Sequence, residues 1–341
     1  MAIDLDTPAL PDVQADRPSV ALALPRVGVT GVEKTIRTGD DTVLSARLSC
    51  FVDLGAGQKG AHMSRFEEGF DEAIAAASQQ GRAPALDALA GRIAEGVRER
   101  QAALRCEVAI TARVPRVRVA PVTGAVGREH FTVLATALAS GAGTRRLLGV
   151  TAQGMTACPC AQGLLTEAAR ERLAADGFSP DEVERVFAHV PVATHNQRGL
   201  GTLQVGVPPG ADHAVDPLLL LEIVESSMSS EIYELMKRPD EAAVVEKAHR
   251  RPRFVEDCVR EMLAGVADRL GALPAGTLVS ARQENLETIH QHDVVAEYTG
   301  LLGDLLSELA TGEPPERQAS AREWLAGAAD DVRSVRRNPK K

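Results

Sequence analysis

The segment Val43-Leu-Ser-Ala-Arg-Leu-Ser-Cys-Phe-Val-Asp-Leu54 decides how the rest of this chain reads. Apolar Leu44, Ala46, Leu48, Cys50 and Val52 alternate with Ser45, Arg47 and Ser49. That period of two belongs to a strand with one face on a core and the other in water. Just before it, the β-branched stretch 26–38 predicts a partner strand. Two helical segments follow, 64–78 and 84–103, the second carrying Leu86, Leu89, Ile93 and Val97 on one stripe. Strands return at 106–114 and 130–139. The second half repeats the scheme with insertions: a strand at 146–156, a helical insert at 164–175 and 181–187, and a strand at 202–207. Helices at 217–227, 240–248 and 255–270 then lead to a strand at 278–283. This order predicts an α+β chain of two tandem β-β-α-α-β-β units, with antiparallel sheets and helices packed on one side. The expected boundaries are a loose Pro- and Asp-rich arm over 1–25, a first unit over 26–140, a second over 141–300, and a helical extension with a polar tail over 301–341.

Composition removes several classes of function. The 341 residues include 38 Lys+Arg and 47 Asp+Glu, a formal net charge of −9, whereas phosphate-backbone binding needs a basic face. The one basic cluster, residues 336–341, reads as a solvated end. Ten aromatic residues (seven Phe, two Tyr, one Trp) do not make a stacking platform for single strands. Apolar runs around 218–221 and 133–139 fall far short of the ~20 residues a membrane helix requires. The start lacks a basic-then-apolar leader, so a cytoplasmic protein without membrane or nucleic-acid partners is expected. Five cysteines (Cys50, Cys106, Cys158, Cys160, Cys258) read as free thiols or metal ligands rather than a disulfide frame.

The chemistry-bearing residues fall into clusters. In Cys158-Pro159-Cys160 the proline disfavours helix for the residue before it, so the triplet is expected to be a turn or extended piece with both sulfurs facing one way. His195-Asn-Gln-Arg198 sits at a strand entrance, where functional groups collect. In Lys237-Arg-Pro-Asp-Glu241 the two acids suit the first turn of a helix, and capping alone would explain them. Glu256 and Arg260, four apart on a helix, are by themselves an ordinary surface pair. The densest cluster, Glu284-Asn-Leu-Glu-Thr-Ile-His-Gln-His292, holds two of the eight histidines beside two acids, a pairing suited to proton transfer or metal binding. Lys59, His62 and Arg65 put three cations before and within a helix start, where an anion is welcome.

These six motifs, Gln58-Lys-Gly-Ala-His-Met-Ser-Arg-Phe66 through Glu284–His292, with Phe254-Val-Glu-Asp257 among them, occur in the order seen in GTP cyclohydrolase of the IB type. The chain resembles that family over roughly residues 27–298. The resemblance implies a tunnelling fold (T-fold) of two such units, a homotetramer with active sites at subunit interfaces, and conversion of GTP and water to 7,8-dihydroneopterin triphosphate and formate, the opening step of folate synthesis. It implies Cys158, His195 and Glu241 as metal ligands for Mn²⁺ or Zn²⁺, with Fe²⁺ also admitted by the mixed donor set. Glu256 matches the glutamate that anchors the purine edge. Cys160, Glu287, His290 and His292 match positions near the reacting imidazole ring. Lys59, His62 and Arg65 would face the triphosphate, and Gln197 and Arg198 would join the substrate contacts. Four alternatives remain open at this point. They are a same-fold cyclohydrolase giving a cyclic-phosphate pterin, one feeding a deazapurine or pterin natural-product pathway, a non-catalytic purine- or pterin-binding protein, and a structural zinc protein with Cys160 as fourth ligand.

Overall fold

A computed structural model describes residues 12–37, 43–78, 85–211 and 213–327. The first eleven residues of the expected arm and the basic cluster 336–341 lie outside them. The chain separates into two compact units. The first comprises residues up to Thr111 with Ala135–Arg146; the second comprises Ala112–Leu134 with the residues from Leu147 onward.

In the first unit, β1 (Leu24–Arg37) pairs antiparallel with β2 (Val43–Leu54). The register of β1 shifts between Val29 and Val32, and Gly31 sits in that shift at φ 71°. A left-handed residue at a bulge is a position that favours glycine. The alternation in β2 does what its period requires: Leu44, Ala46, Leu48, Cys50, Val52 and Leu54 are all buried. The core also holds Phe66 and Phe70 of α1 (Met63–Ser78) and Leu89, Ile93 and Val97 of α2 (Leu86–Gln101). The strand order continues through β3 (Arg105–Val119) to β4 (Val126–Ser140), long strands that contribute to both units. β3 runs on through Pro115, beyond the expected end at residue 114.

In the second unit, β5 (Gly143–Ala157) leads into α3 (Pro159–Ala175) and α4 (Pro180–His189). β6 (Asn196–Gly206), α5 (Pro217–Ser227), the two-residue β7 (Ser230–Glu231), α6 (Arg238–Arg250) and α7 (Val255–Leu270) follow. β8 (Leu278–Leu286) and β9 (Val294–Leu301) close the sheet order β4-β5-β6-β8-β9, with β7 on β5. The described pairs β5·β6, β5·β7, β6·β8 and β8·β9 are all antiparallel, as expected of an α+β chain. α5 and α7 bring Leu220, Leu221, Ile223, Val224, Met262 and Val266 into the core. Gly199 and Gly201 of β6 make this packing possible. A Cβ on Gly201 would sit 2.5 Å from Val224, and one on Gly199 would sit 3.1 Å from the Met228 sulfur.

One expectation is corrected. The Cys-Pro-Cys triplet is not wholly extended. Cys158 is extended (φ −73°, ψ 119°), as a residue before proline should be, but Pro159 occupies the first turn of α3 and Cys160 is already helical. The two sulfurs therefore do not share the alternation of a strand. Past residue 300 the described chain continues in two helices. After α8 (Leu302–Thr311) comes the short α9 (Ala321–Leu325), started by a Ser320–Glu323 capping box. α9 buries Trp324 completely against Leu147, Leu278 and Leu301, and the indole N–H donates to the Gly276 carbonyl at 2.9 Å.

Candidate active site

A polar grouping of the second unit lies where β5 and β8 end and β6 begins. Ala157 pairs with Asn196 across β5·β6, and Arg198 with Leu286 across β6·β8. Cys158, His195, Gln197 and Glu287 are thereby brought to one end of the sheet from three distant stretches. The Cys158 N–H donates to the His195 carbonyl at 3.1 Å, and the Thr194 hydroxyl donates to the Cys158 carbonyl at 3.0 Å. His249 braces the same loop from α6, its Nε2 lying 3.2 Å from the Thr194 carbonyl.

Glu287 is the hub. Its Oε1 accepts from Gln197 Nε2 at 3.2 Å, and its Oε2 lies 3.8 Å from His195 Nδ1. The second distance suits an ion pair but is too long for a hydrogen bond. Both side chains are largely covered (14% exposed for His195, 8% for Glu287), so their mutual field is only weakly screened. The Glu287 backbone N–H donates to Asp293 within the β8–β9 loop, and the Thr288 hydroxyl donates to the Asn196 carbonyl at 3.2 Å, which ties that loop to β6. In that loop the exposed rings of His290 and His292 stack with centroids 5.1 Å apart.

Not every expected residue joins this hub. Cys160 is exposed on α3 and Arg198 is exposed on β6. Glu241 is exposed in the first turn of α6, and Glu256 is exposed in the first turn of α7. Among the described residues no three His, Cys, Asp or Glu side chains gather to hold a metal ion. The donor chemistry of Cys158 and His195 nonetheless fits one. Their backbones are hydrogen-bonded to each other, and among the described residues His195 Nδ1 is a buried nitrogen without a hydrogen-bond partner. Three residues that sequence reasoning passed over, Thr156, Gln283 and Asn285, are buried polar groups on this part of the sheet. Of the three only Gln283 carried a sequence signal, a polar residue two positions after core Ala281 on the same strand.

Lys59, His62 and Arg65 belong to the first unit. There the His62 ring lies 2.9 Å from Asp12 Oδ1, and Arg65 donates to the Arg100 carbonyl at 2.9 Å. The His62 contact holds the Asp12 carboxyl below its ordinary range. The Lys59 backbone N–H is bound to the Gln14 and Asp16 carbonyls, while its side chain stays exposed. An arriving anion would therefore meet one free-standing cation and two already engaged.

The thiols divide sharply. Cys50 and Cys106 are buried with their sulfurs 3.4 Å apart, and that contact, with burial, pushes the Cys50 thiol far up. Burial pushes the Cys258 thiol up to about 12. Since the thiolate is the reactive form, native protein at pH 8 should titrate two thiols with a disulfide reagent, Cys160 quickly and half-buried Cys158 more slowly. The other three should appear only in denaturant. Peptide mapping of the labelled sites would check this, and early labelling of Cys50 or Cys258 would contradict the packing.

The second unit thus carries a largely covered imidazole–carboxylate pair, His195 and Glu287, at one end of an antiparallel sheet. The family is shown by comparison. Over residues 10–296 the chain matches GCHY-1, type I GTP cyclohydrolase folE2. It is 39% identical to the GTP cyclohydrolase MptA of Methanococcus maripaludis over 310 residues, 88% of this chain and 98% of that one. With the MptA of Methanococcoides burtonii it shares 38% over 317 residues, 90% and 99% of the two chains. This chain belongs to the type I GTP cyclohydrolase folE2 family, and its activity is that of a GTP cyclohydrolase at the first step of pterin biosynthesis. The match establishes the motif resemblance at the level of type I GTP cyclohydrolase; the branch it names is folE2, and the relatives are named MptA. Uricase of Arthrobacter globiformis superposes with a TM-score of 0.49 at 9% identity, over 88% of this chain and 96% of that one. No helix among the described residues is long and apolar enough to cross a membrane.

Proposed function

We propose that the chain converts GTP and water to 7,8-dihydroneopterin triphosphate and formate, and that Cys158, His195, Gln197 and Glu287 form the core of the site. The observation that carries this reading is the Glu287 hub. The Glu287 carboxylate lies 3.8 Å from His195 Nδ1 without hydrogen-bonding to it, so its negative charge favours a divalent cation held by the imidazole. In this reading Cys158, His195 and Glu241 hold the divalent ion, Mn²⁺ or Zn²⁺ with Fe²⁺ also suited. When bound, such an ion supplies a water of lowered pKa and polarises the carbon under attack.

The rest of the work falls to side chains. His290 or His292 donates a proton to the imidazole nitrogen that leaves C8, general-acid help typically worth ~10²–10⁴-fold. Glu256 accepts from the ring N–H and exocyclic amine of guanine, a pair that adenine does not offer. Lys59, His62 and Arg65 neutralise the triphosphate, with Arg198 as a further cation and Cys160 beside the opening ring. The exposure of Glu241 and Glu256 in an isolated chain fits a homotetramer of tandem T-fold units with sites completed at subunit interfaces. A cytoplasmic location goes with this reading.

Phosphorus NMR of the product mixture tests the product assignment. Three resonances of a linear triphosphate, with one formate per GTP consumed, are expected. A cyclic phosphate with release of pyrophosphate would overturn the triphosphate assignment. Guanine-nucleotide binding without formate would overturn catalysis altogether and leave a purine-binding protein.

A further inference from the structure

The acid before Glu241 is held in an unusual way for a residue on the first turn of a helix. Asp240 is completely buried. Its Oδ1 accepts from the backbone N–H groups of Val122 and Thr123, each at 2.9 Å. Its Oδ2 accepts from the Thr123 hydroxyl at 2.6 Å and from the Lys237 N–H at 3.0 Å. The last is an ordinary helix-start contact; the other three come from the tip of the β3–β4 hairpin, more than a hundred residues earlier. Burial alone would raise the Asp240 pKa, but the bonds from Thr123, Lys237 and Val122 outweigh it and keep the group ionised.

The hairpin is itself anchored. At its tip the Ala120 N–H donates to the Ala125 carbonyl at 2.9 Å, and Gly124 takes a φ of 67°. Lower down, Arg116 and Arg118 are paired with Glu225 of α5 and lie against Glu129 of β4. The Arg118 guanidinium also lies over the Tyr233 ring, 4.4 Å from its centroid. All four charges are at most 16% exposed, so the arms are locked to α5 while the tip grips α6.

We infer that the β3–β4 hairpin tip, through Thr123 and Asp240, is a positioning device that fixes the first turn of α6 and hence the direction in which Glu241 presents its carboxylate. In this inference Thr123 and Asp240 act through Glu241. This rests on the reading of Glu241 as a metal donor, and the test separates the two claims.

Thr123→Val removes the hydroxyl at nearly constant shape, while Thr123→Ser keeps it. Mn²⁺ affinity of the full chain, measured by calorimetry, is compared with kcat and KM for GTP. Outer-shell partners of metal sites are typically worth 10–100-fold in affinity. Thr123→Val should therefore weaken Mn²⁺ about 10-fold and lower kcat with KM nearly unchanged, and Thr123→Ser should restore both. Thr123→Ala carries the same test should the valine variant not fold. A folded variant that lacks the hydroxyl, melts earlier and binds Mn²⁺ as the wild type does would reduce the contact to a helix cap and overturn the inference. Glu241→Gln is the separate control: unchanged Mn²⁺ affinity there would sink the donor reading itself, whatever Thr123 does.

Discussion

Cys158→Ala protein is expected to purify folded, without stoichiometric divalent metal, and with GTP turnover lowered by more than ~10²-fold. The floor comes from metal sites in general, where even loss of an outer-shell partner costs 10–100-fold in affinity or activity. The fold should survive. Cys158 sits at the start of α3 and gives the core no buried apolar surface, and the groups that hold its backbone, the His195 carbonyl and the Thr194 hydroxyl, do not involve the side chain. Far-ultraviolet dichroism and the melting temperature of the metal-free wild type supply the comparison. If Cys158→Ala keeps one metal per chain and full turnover, the thiolate is not a ligand. If it instead unfolds on metal loss, the site is structural in the manner of a closed zinc centre.

Trp324→Ala should be the most destabilising single change in the C-terminal segment. Truncating a fully buried Trp typically costs about 3–5 kcal/mol through lost burial and the cavity left behind. Here the indole also gives up its bond to the Gly276 carbonyl and its contact with Leu147, Leu278 and Leu301. Gly206 faces the ring so closely that a Cβ there would lie 2.7 Å from it. For a unit of this size a loss of that order lowers the melting temperature by about 10 °C. Trp324→Phe, which keeps most of the volume, should lose clearly less. A melting curve for Trp324→Ala that overlays the wild type would show that α9 does not stabilise the second unit.

Local signals were legible where one element settles its own burial. β2 follows its alternation from Val43 to Leu54, and α5 and α7 end where their apolar stripes and caps end. α3 began five residues earlier than its periodicity suggested because none of its residues is buried, so no stripe marks its first turn. β9 was missed for a related reason. It lies at the end of the strand order, only its last two residues are buried, and its pairing with β8 is a tertiary fact. Past residue 300, the packing of Trp324 against Leu147, Leu278 and Leu301 is a tertiary fact that no local pattern shows.

The site divides in the same way. Cys158, His195, Glu287 and the two loop histidines were visible as residue types, yet bringing Cys158, His195 and Glu287 to one end of the sheet depends on the β5·β6 and β6·β8 registers. Likewise, Asp240 read as a helix cap, which it is, while its three hairpin donors lie far away in sequence.

The central claim is that this chain opens the imidazole ring of GTP with the help of a bound divalent ion. The most direct test strips the full-length protein with chelator, adds back Mn²⁺, Zn²⁺ or Fe²⁺ singly, and follows formate release together with neopterin fluorescence after oxidation. Signal restored in both channels by at least one ion, and absent from the stripped protein, is the predicted result. Undiminished turnover by fully metal-free protein, or no formate with any ion from folded protein that binds GTP, would contradict it.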